Sequence, residues 1–500
     1  MSNAAPGPAM DYEEFRKLGH ETIDLITDYL ATIRDTPVFQ PLTPQQRAGL
    51  SQRPLGDLPD SPRDILHEAV SDILPYAMGN GHPRFFGWIN SPPAPIGVLA
   101  DLLAAAQGAA CDVGDIAPLW LERTAVAWLS EIVGYDPQTT MGILVSGGSV
   151  ATLTCLTVAR QHCAETDGWD VRRDGLSGDR RMLTYITEQT HSSVRKAVEL
   201  LGLGSASIRI VPTDDELRMD AAALERMVAQ DRAAGARPFC VVATAGTTNT
   251  GAVDPLADVA RVAHAAGMWL HVDGAYGAVA AVHPELRGTF EGLAQADSIT
   301  MDPHKWLSVP IECGCALVRD RELMRRTFSL VPPYLRTEEG KGIGGPPSYA
   351  EYGIQQTRGF RALKVWMVLR HAGRQGIVDL VTRNVALARL LAGLVDQTPG
   401  LRLAAKPQLA VVAFQYVPAD GDDTDRVNAV NRALEHALQT DGRTFVTGTV
   451  LGDRFVLRAS VLHYATSEED LRELVSTVCR IGAEVEKETL AGYLSQRAHF

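Results

Sequence analysis

Along the first eighty residues the apolar positions recur at helical spacing. Phe15, Leu18, Ile23, Ile26, Tyr29 and Leu30 fall near one face of a helix expected over 11–33. A proline-rich connector follows, with Pro37, Pro41, Pro44, Pro54, Pro59 and Pro62. A second amphipathic helix is expected over 64–78, started by Ser61-Pro62. Two helices on an extended connector bury little surface alone, so they are expected to pack on another domain or subunit. Residues 79–95 mix aromatics with Gly and Pro, which suits either a rigid pocket wall or a linker fixed to the core. Residues 96–107 and 120–133 read as helices.

From Met141 short, near-continuous apolar runs alternate with helical patterns. Strands are expected at 142–145, 182–187, 207–211, 239–243, 268–272, 298–301 and 315–318, with helices between most of them. This predicts an α/β fold around a mostly parallel seven-stranded sheet covered on both faces. Ligands of such sheets sit beyond the C-terminal strand ends, where the polar motifs of this chain fall. Residues 331–352 are rich in Gly and Pro and predict a long loop, read as a lid over a site or as plain surface. Helices are expected over 360–372 and from 378 to 395. An α+β layer follows, with strands at 409–417 and 455–460 and helices at 424–439 and 467–492. The expected division is an N-terminal helical segment (1–90), a large domain (91–377) and a C-terminal small domain (378–500).

Composition narrows the partners. The net charge of −13 argues against nucleic acid, whose phosphates call for a basic surface. No apolar run approaches the ~20 residues of a membrane span. The start of the chain lacks the pattern of a secretory signal, and the odd set of seven cysteines reads as reduced thiols, so a cytoplasmic location is expected. Cys313-Gly-Cys315 is the only close cysteine pair, and with no second pair no metal site is expected.

The candidate chemistry lies at the strand ends. Ser146-Gly147-Gly148-Ser149 joins a strand to a helix, so its N–H groups and the positive helix end suit a phosphate. It has neither a following Gly-Lys-Ser/Thr nor a G-x-G-x-x-G pattern, and a capped helix start would look similar. Asp273 closes an apolar strand in H-V-D-G-A-Y, where a buried acid calls for a cationic partner such as a protonated pyridine nitrogen. Lys305 lies in Asp302-Pro303-His304-Lys305-Trp306-Leu307 and is one of only seven lysines against forty arginines. A lysine in apolar surroundings becomes a nucleophile for carbonyls, whereas a solvated turn lysine would have no such role.

H-P-R-F-F-G-W, T-H-S-S-V-R-K-A, T-A-G-T-T-N-T-G-A-V-D, H-V-D-G-A-Y, D-P-H-K-W-L and F-R-A-L-K-V-W occur in this order over nearly the whole chain. Together they resemble the aromatic-L-amino-acid decarboxylase family, the group II pyridoxal-phosphate-dependent decarboxylases of the aspartate-aminotransferase fold type (fold type I). The resemblance implies pyridoxal 5'-phosphate as cofactor, bound covalently by Lys305, with Asp273 on the ring nitrogen, His191 stacked on the ring and Ala275 on its opposite face. Gly147, Gly148, Ser149 and His304 would hold the phosphate, and Thr248 would sit near the ring oxygen. Tyr334 would protonate the substrate carbon after carbon dioxide leaves, from a loop that reaches the neighbouring subunit of a homodimer. The implied substrate pocket contains His82, Phe86, Trp88, Ile89 and Thr357. Asp302 stands where animal relatives carry Asn, and an acid beside a phosphate is awkward, so it is left out of the phosphate set. Thr357 is neither of the residues usual at that place in plant relatives, which leaves the aromatic ring preference open. The expected reaction is decarboxylation of an aromatic L-amino acid (tryptophan, tyrosine, phenylalanine or DOPA). The alternatives are an aldehyde synthase, a decarboxylase of a non-aromatic amino acid, or a non-catalytic homologue. Tyr334 and His191 favour simple decarboxylation.

Overall fold

The computed structural model describes residues 9–176, 182–333, 341–419 and 421–497. Two compact units emerge, one of residues 88–415 and 458–464, the other of 1–87, 416–457 and 465–500.

The first unit is built on seven strands: β1 (Met141–Val145), β2 (Met182–Ile186), β3 (Ile208–Ile210), β4 (Arg237–Thr244), β5 (Trp269–Asp273), β6 (Ser298–Met301) and β7 (Gly314–Val318). Their order across the sheet is β1-β7-β6-β5-β4-β2-β3. The pairs from β3 to β6 are parallel, and β7 runs antiparallel to both β6 and β1. Alternate residues of one strand point to opposite faces. Leu144, Val241 and Ala243 accordingly enter one core, and Ile143, Val145, Cys240 and Val242 the other. Both faces are covered, which is why these strands read as unbroken apolar runs.

Helix Gly148–Thr166 packs over the second face through Ala151, Cys155, Leu156 and Ala159. Helix Ala117–Ile132 covers the first through Ala125, Val126 and Leu129. The helices expected at 360–372 and 378–395 are two helical stretches within Arg361–Gln397, joined across a kink at Gly373, whose φ of 63° and ψ of 174° are not helical. Glycine adopts this conformation without a Cβ clash, so one helix ends and the next begins there with no intervening loop. A helix at Arg321–Phe328, capped by Asp320, had not been expected.

In the other unit, helix Tyr12–Thr32 has no buried residue, and Tyr12 and Phe15 lie exposed on it. The proline-rich connector contains an unexpected helix, Pro44–Ser51. Pro44 occupies its first turn, and Thr43 and Gln46 form a reciprocal cap. The helix expected over 64–78 is α-helical only over Pro62–Glu68, then widens and ends in a tight turn at Leu74–Tyr76. Distant parts of the chain meet within this unit. Phe85 stacks on Phe445 at 4.9 Å, and Arg34 Nη1 donates to Asp470 Oδ1 at 2.7 Å.

Candidate active site

The C-terminal strand ends of the first unit converge on one polar cavity of about 230 Å³. It is lined by Gly148, Ser149, Thr152, His191, Ser193, Thr244, Gly246, Thr248, Asp273, Ala275, Tyr276, Asp302, His304 and Lys305.

Asp273 ends β5, buried, with Thr244 of β4 and Thr300 of β6 as its register partners. Its Oδ1 accepts the Ala275 N–H at 3.2 Å. Behind it on the same strand face lie His271 and Trp269, two and four residues back. The Trp269 indole donates to Ser298 Oγ at 2.8 Å, and Ser298 Oγ meets His271 Nδ1 at 2.9 Å. His271 Nε2 lies 3.3 Å from Thr300 Oγ1, which in turn lies 3.3 Å from Thr152 Oγ1 at the cavity wall. Desolvation pushes the His271 pKa down to about 4, opposed by the Asp273 carboxylate, so this polar chain beneath the acid contains a neutral imidazole at neutral pH.

Lys305 follows the turn after β6. Its N–H donates to the Asp302 carbonyl at 2.9 Å, and the next residue anchors the turn. Trp306 is buried, stacks on Tyr276 at 5.0 Å and donates to Asn384 Oδ1 at 2.9 Å. Lys305 Nζ reaches Asp302 Oδ2 at 3.1 Å, with the Asp302 side chain only 2% exposed. His304 Nδ1 lies 2.7 Å from the Cys313 carbonyl, which assigns its proton to Nδ1. The Cys313 N–H also approaches that nitrogen, at 3.4 Å, and the shorter contact decides the tautomer. Desolvation lowers the His304 pKa, against the pull of Asp302.

His191 caps helix Ser192–Leu200. Its Nδ1 accepts the Ser193 N–H at 3.2 Å, which leaves the neutral ring protonated on Nε2. By surface area the residue is exposed, yet desolvation by the atoms around the ring still lowers its pKa, partly offset by Asp273.

The cavity suits pyridoxal phosphate. One buried polar atom on its wall, Thr244 Oγ1, has no hydrogen-bond partner among the described residues. A Cβ on Gly148 would stand 2.7 Å from Asp302 Oδ2, so any side chain there would displace that carboxylate, at the first turn of helix Gly148–Thr166. That helix start has no side-chain cap and offers N–H groups to an anion.

Lys305, Asp273, His191, Gly148, Ser149, Thr248, Ala275 and His304 thus meet around one space, and Gly147 adjoins His304, whose Cε1 is 3.7 Å from where a Gly147 Cβ would be. Trp88, Ile89 and Thr357 are not among the described residues lining it. Trp88 is tied to it indirectly, since Arg458 Nη1 donates to the carbonyls of both Thr248 (2.8 Å) and Trp88 (3.4 Å). Ile89 is buried and Thr357 exposed. His82 and Phe86 are buried in the other unit, where desolvation pushes the His82 pKa down to about 4. Tyr334 lies outside the described residues. The sequence reading had not singled out Thr152, Ser193, Thr244, Gly246 or Tyr276. Gly148 and Thr152 are four apart, one helical turn, so the signal for Thr152 was its place on the face that begins with the glycines.

The family description "Pyridoxal-dependent decarboxylase conserved domain" matches residues 44–417. An aromatic-L-amino-acid decarboxylase of Bacillus atrophaeus is 31% identical over 475 residues, covering 95% of this chain and 96% of the relative. A phenylacetaldehyde synthase of Arabidopsis thaliana is 30% identical over 473 residues, covering 93% and 95%. The crystal structure of Oryza sativa TDC with PLP and tryptamine superposes with a TM-score of 0.88 at 28% identity, covering 96% of this chain and 99% of that one.

Proposed function

The chain belongs to the pyridoxal-dependent decarboxylase family, and from that premise we propose that it converts an aromatic L-amino acid to its amine and carbon dioxide. The observation that carries this reading is the convergence of Lys305, Asp273 and His191 on one cavity at the strand ends.

Pyridoxal phosphate, when bound, supplies an electrophilic carbon and a ring that accepts the electron pair left by the departing carboxylate. Lys305 would hold it through its side-chain amine. Asp273 pairs with a protonated ring nitrogen, and its burial strengthens that pairing. His191 covers one ring face, and Ala275 leaves room on the other. The N–H groups of Gly147, Gly148 and Ser149, with His304, hold the phosphate. Thr248 stands near the ring oxygen and the substrate carboxylate. Tyr334 delivers a proton to the substrate carbon. His82, Phe86, Trp88, Ile89 and Thr357 contribute to substrate selection.

The active assembly in this reading is a cytoplasmic homodimer. Residues 1–90 pack on the partner subunit, and Tyr334 reaches the neighbouring site. Helix Tyr12–Thr32, with no fully buried residue and with Tyr12 and Phe15 exposed, supports a covering partner. Sedimentation of a monomer at micromolar concentration would reject the assembly.

Incubation with tryptophan, tyrosine, phenylalanine and DOPA, beside histidine and glutamate, tests the reaction. Amine and carbon dioxide from an aromatic substrate are expected. Turnover of histidine or glutamate alone would overturn the aromatic assignment. The similarity to a phenylacetaldehyde synthase supports a second reading, in which dioxygen is consumed and aldehyde, ammonia and peroxide appear in place of the amine, with carbon dioxide still released.

A further inference from the structure

A helix face turned to a core is apolar, yet Asn384 is fully buried in the second helical stretch of Arg361–Gln397, where Val381, Val385 and Ala388 are buried as well. A buried amide persists where its hydrogen bonds are made. Its Oδ1 accepts the Trp306 indole N–H at 2.9 Å, and its Nδ2 donates to the His463 carbonyl at 3.4 Å. The indole can only donate and the carbonyl can only accept, so the two partners hold the amide in a single orientation. Trp306 directly follows Lys305, and its ring lies 5.0 Å from that of Tyr276 with the planes 19° apart. Tyr276 lines the cavity, and its hydroxyl oxygen accepts the Ala410 N–H at 2.8 Å. The two rings therefore form one plate fixed at both edges, by Asn384 at the indole and by the Ala410 backbone at the phenol. Thr382, two residues before Asn384, makes a link of the same kind, with its Oγ1 2.8 Å from Nε2 of His283 on the segment that follows Tyr276.

We propose that Asn384 is a positioning residue for Lys305, acting through the Trp306 indole. The inference rests on the reading of Lys305 as the cofactor-binding lysine. The turn that carries Lys305 is closed by main-chain bonds, Lys305 N–H to the Asp302 carbonyl at 2.9 Å, Ser308 N–H to the Lys305 carbonyl at 3.1 Å and Val309 N–H to the Pro303 carbonyl at 3.2 Å. These bonds set the shape of the turn, and the buried Trp306 side chain fixes the turn to the core. A buried indole N–H deprived of its acceptor is unfavourable, so without Asn384 the ring tilts away from Tyr276 towards another partner. Such a tilt moves the Lys305 backbone and the Tyr276 wall of the cavity together, and reaction rate is sensitive to displacements of this size. Neither Asn384 nor Trp306 is among the described residues lining the cavity, so both act on it at second hand.

The test is a double-mutant cycle with two readouts. Asn384→Leu keeps the volume and removes the acceptor. On the aromatic amino acid turned over fastest, its kcat should fall roughly tenfold with KM within about twofold, because the substrate touches neither Asn384 nor Trp306. In a Trp306→Phe chain, which has no indole N–H to hold, the same substitution should cost less than about a further twofold. Asn384→Asp keeps the shape and an acceptor oxygen and should retain most of the activity. Losses that multiply independently in the double variant would overturn the proposal. The second readout needs no turnover. Amide hydrogen exchange of the full chain, with and without pyridoxal phosphate, should become roughly tenfold faster at residues 302–308 in Asn384→Leu and stay unchanged in β1. Equal acceleration in β1, or none at 302–308, would show that Asn384 only stabilises the core, and would also overturn the proposal. Asn384→Ala, which lacks the acceptor as well, replaces the Leu variant if that chain does not fold. Absence of borohydride-reducible absorbance in the unaltered protein given pyridoxal phosphate would instead refute the cofactor-lysine reading, and the exchange comparison would still decide whether Asn384 holds the turn.

Discussion

Desolvation holds His271 neutral in the folded chain, with its pKa pushed down to about 4. An unfolded histidine protonates near pH 6.5, so below that pH the unfolded chain binds the proton more tightly. Stability from this residue is therefore present above pH 6.5 and is lost as pH falls towards 4. Between about pH 7 and pH 5 the loss amounts to about 2 kcal/mol, and His271→Gln should remove that part of the acid-side decline in denaturant unfolding. An equally steep decline in the variant would show that other groups carry it. In the proposed function Asp273 would act at the same scale through the cofactor. Asp273→Ala should weaken pyridoxal phosphate binding by about 2 kcal/mol, roughly thirtyfold, because the ring nitrogen loses a charged partner. Fluorescence titration of cofactor-stripped protein measures this. For Tyr334→Phe the expected outcome is less amine and more aldehyde, and an unchanged product ratio would reject it as the proton donor.

At the scale of elements, two glycines do work that no other residue would. Gly148 opens the helix under the proposed phosphate, and Gly148→Ala would push its methyl into Asp302. Cofactor affinity should fall about tenfold or more, with little change in melting temperature, since the displaced group is a side chain at a cavity wall. Gly373 kinks the chain between the two helical stretches of Arg361–Gln397, with φ at 63°. Gly373→Ala should cost about 1–3 kcal/mol of stability, because a Cβ is strained there. The chain showed the two stretches as separate patterns, since helical periodicity is interrupted at the kink. The short helix Pro44–Ser51 was legible in Thr43, Pro44 and Gln46, but the surrounding prolines masked it.

Across the larger unit, Arg358 and Glu122 form a buried pair linking distant parts of the chain. Arg358 also donates to the carbonyls of Cys111 and Leu144, and Glu122 Oε1 accepts the Leu144 N–H at 2.9 Å, next to the end of β1. Arg358→Met should destabilise by about 3–5 kcal/mol, because it strands a buried carboxylate, while Arg358→Met combined with Glu122→Leu should recover most of that loss. Chemical denaturation of the two variants checks the difference. The sequence by itself determined the doubly covered sheet, because strands buried on both faces must be apolar throughout. It also marked Lys305 and its flanking residues as the end of a strand, because strand-end residues are contiguous in the chain. Tertiary structure alone decided the antiparallel setting of β7, the joining of residues 1–87 with the C-terminal segments, the polar chain from Trp269 to Thr152, and the place of Asp302 between Lys305 and Gly148. Each of these depends on strand register or on contacts between distant residues, and local periodicity encodes neither.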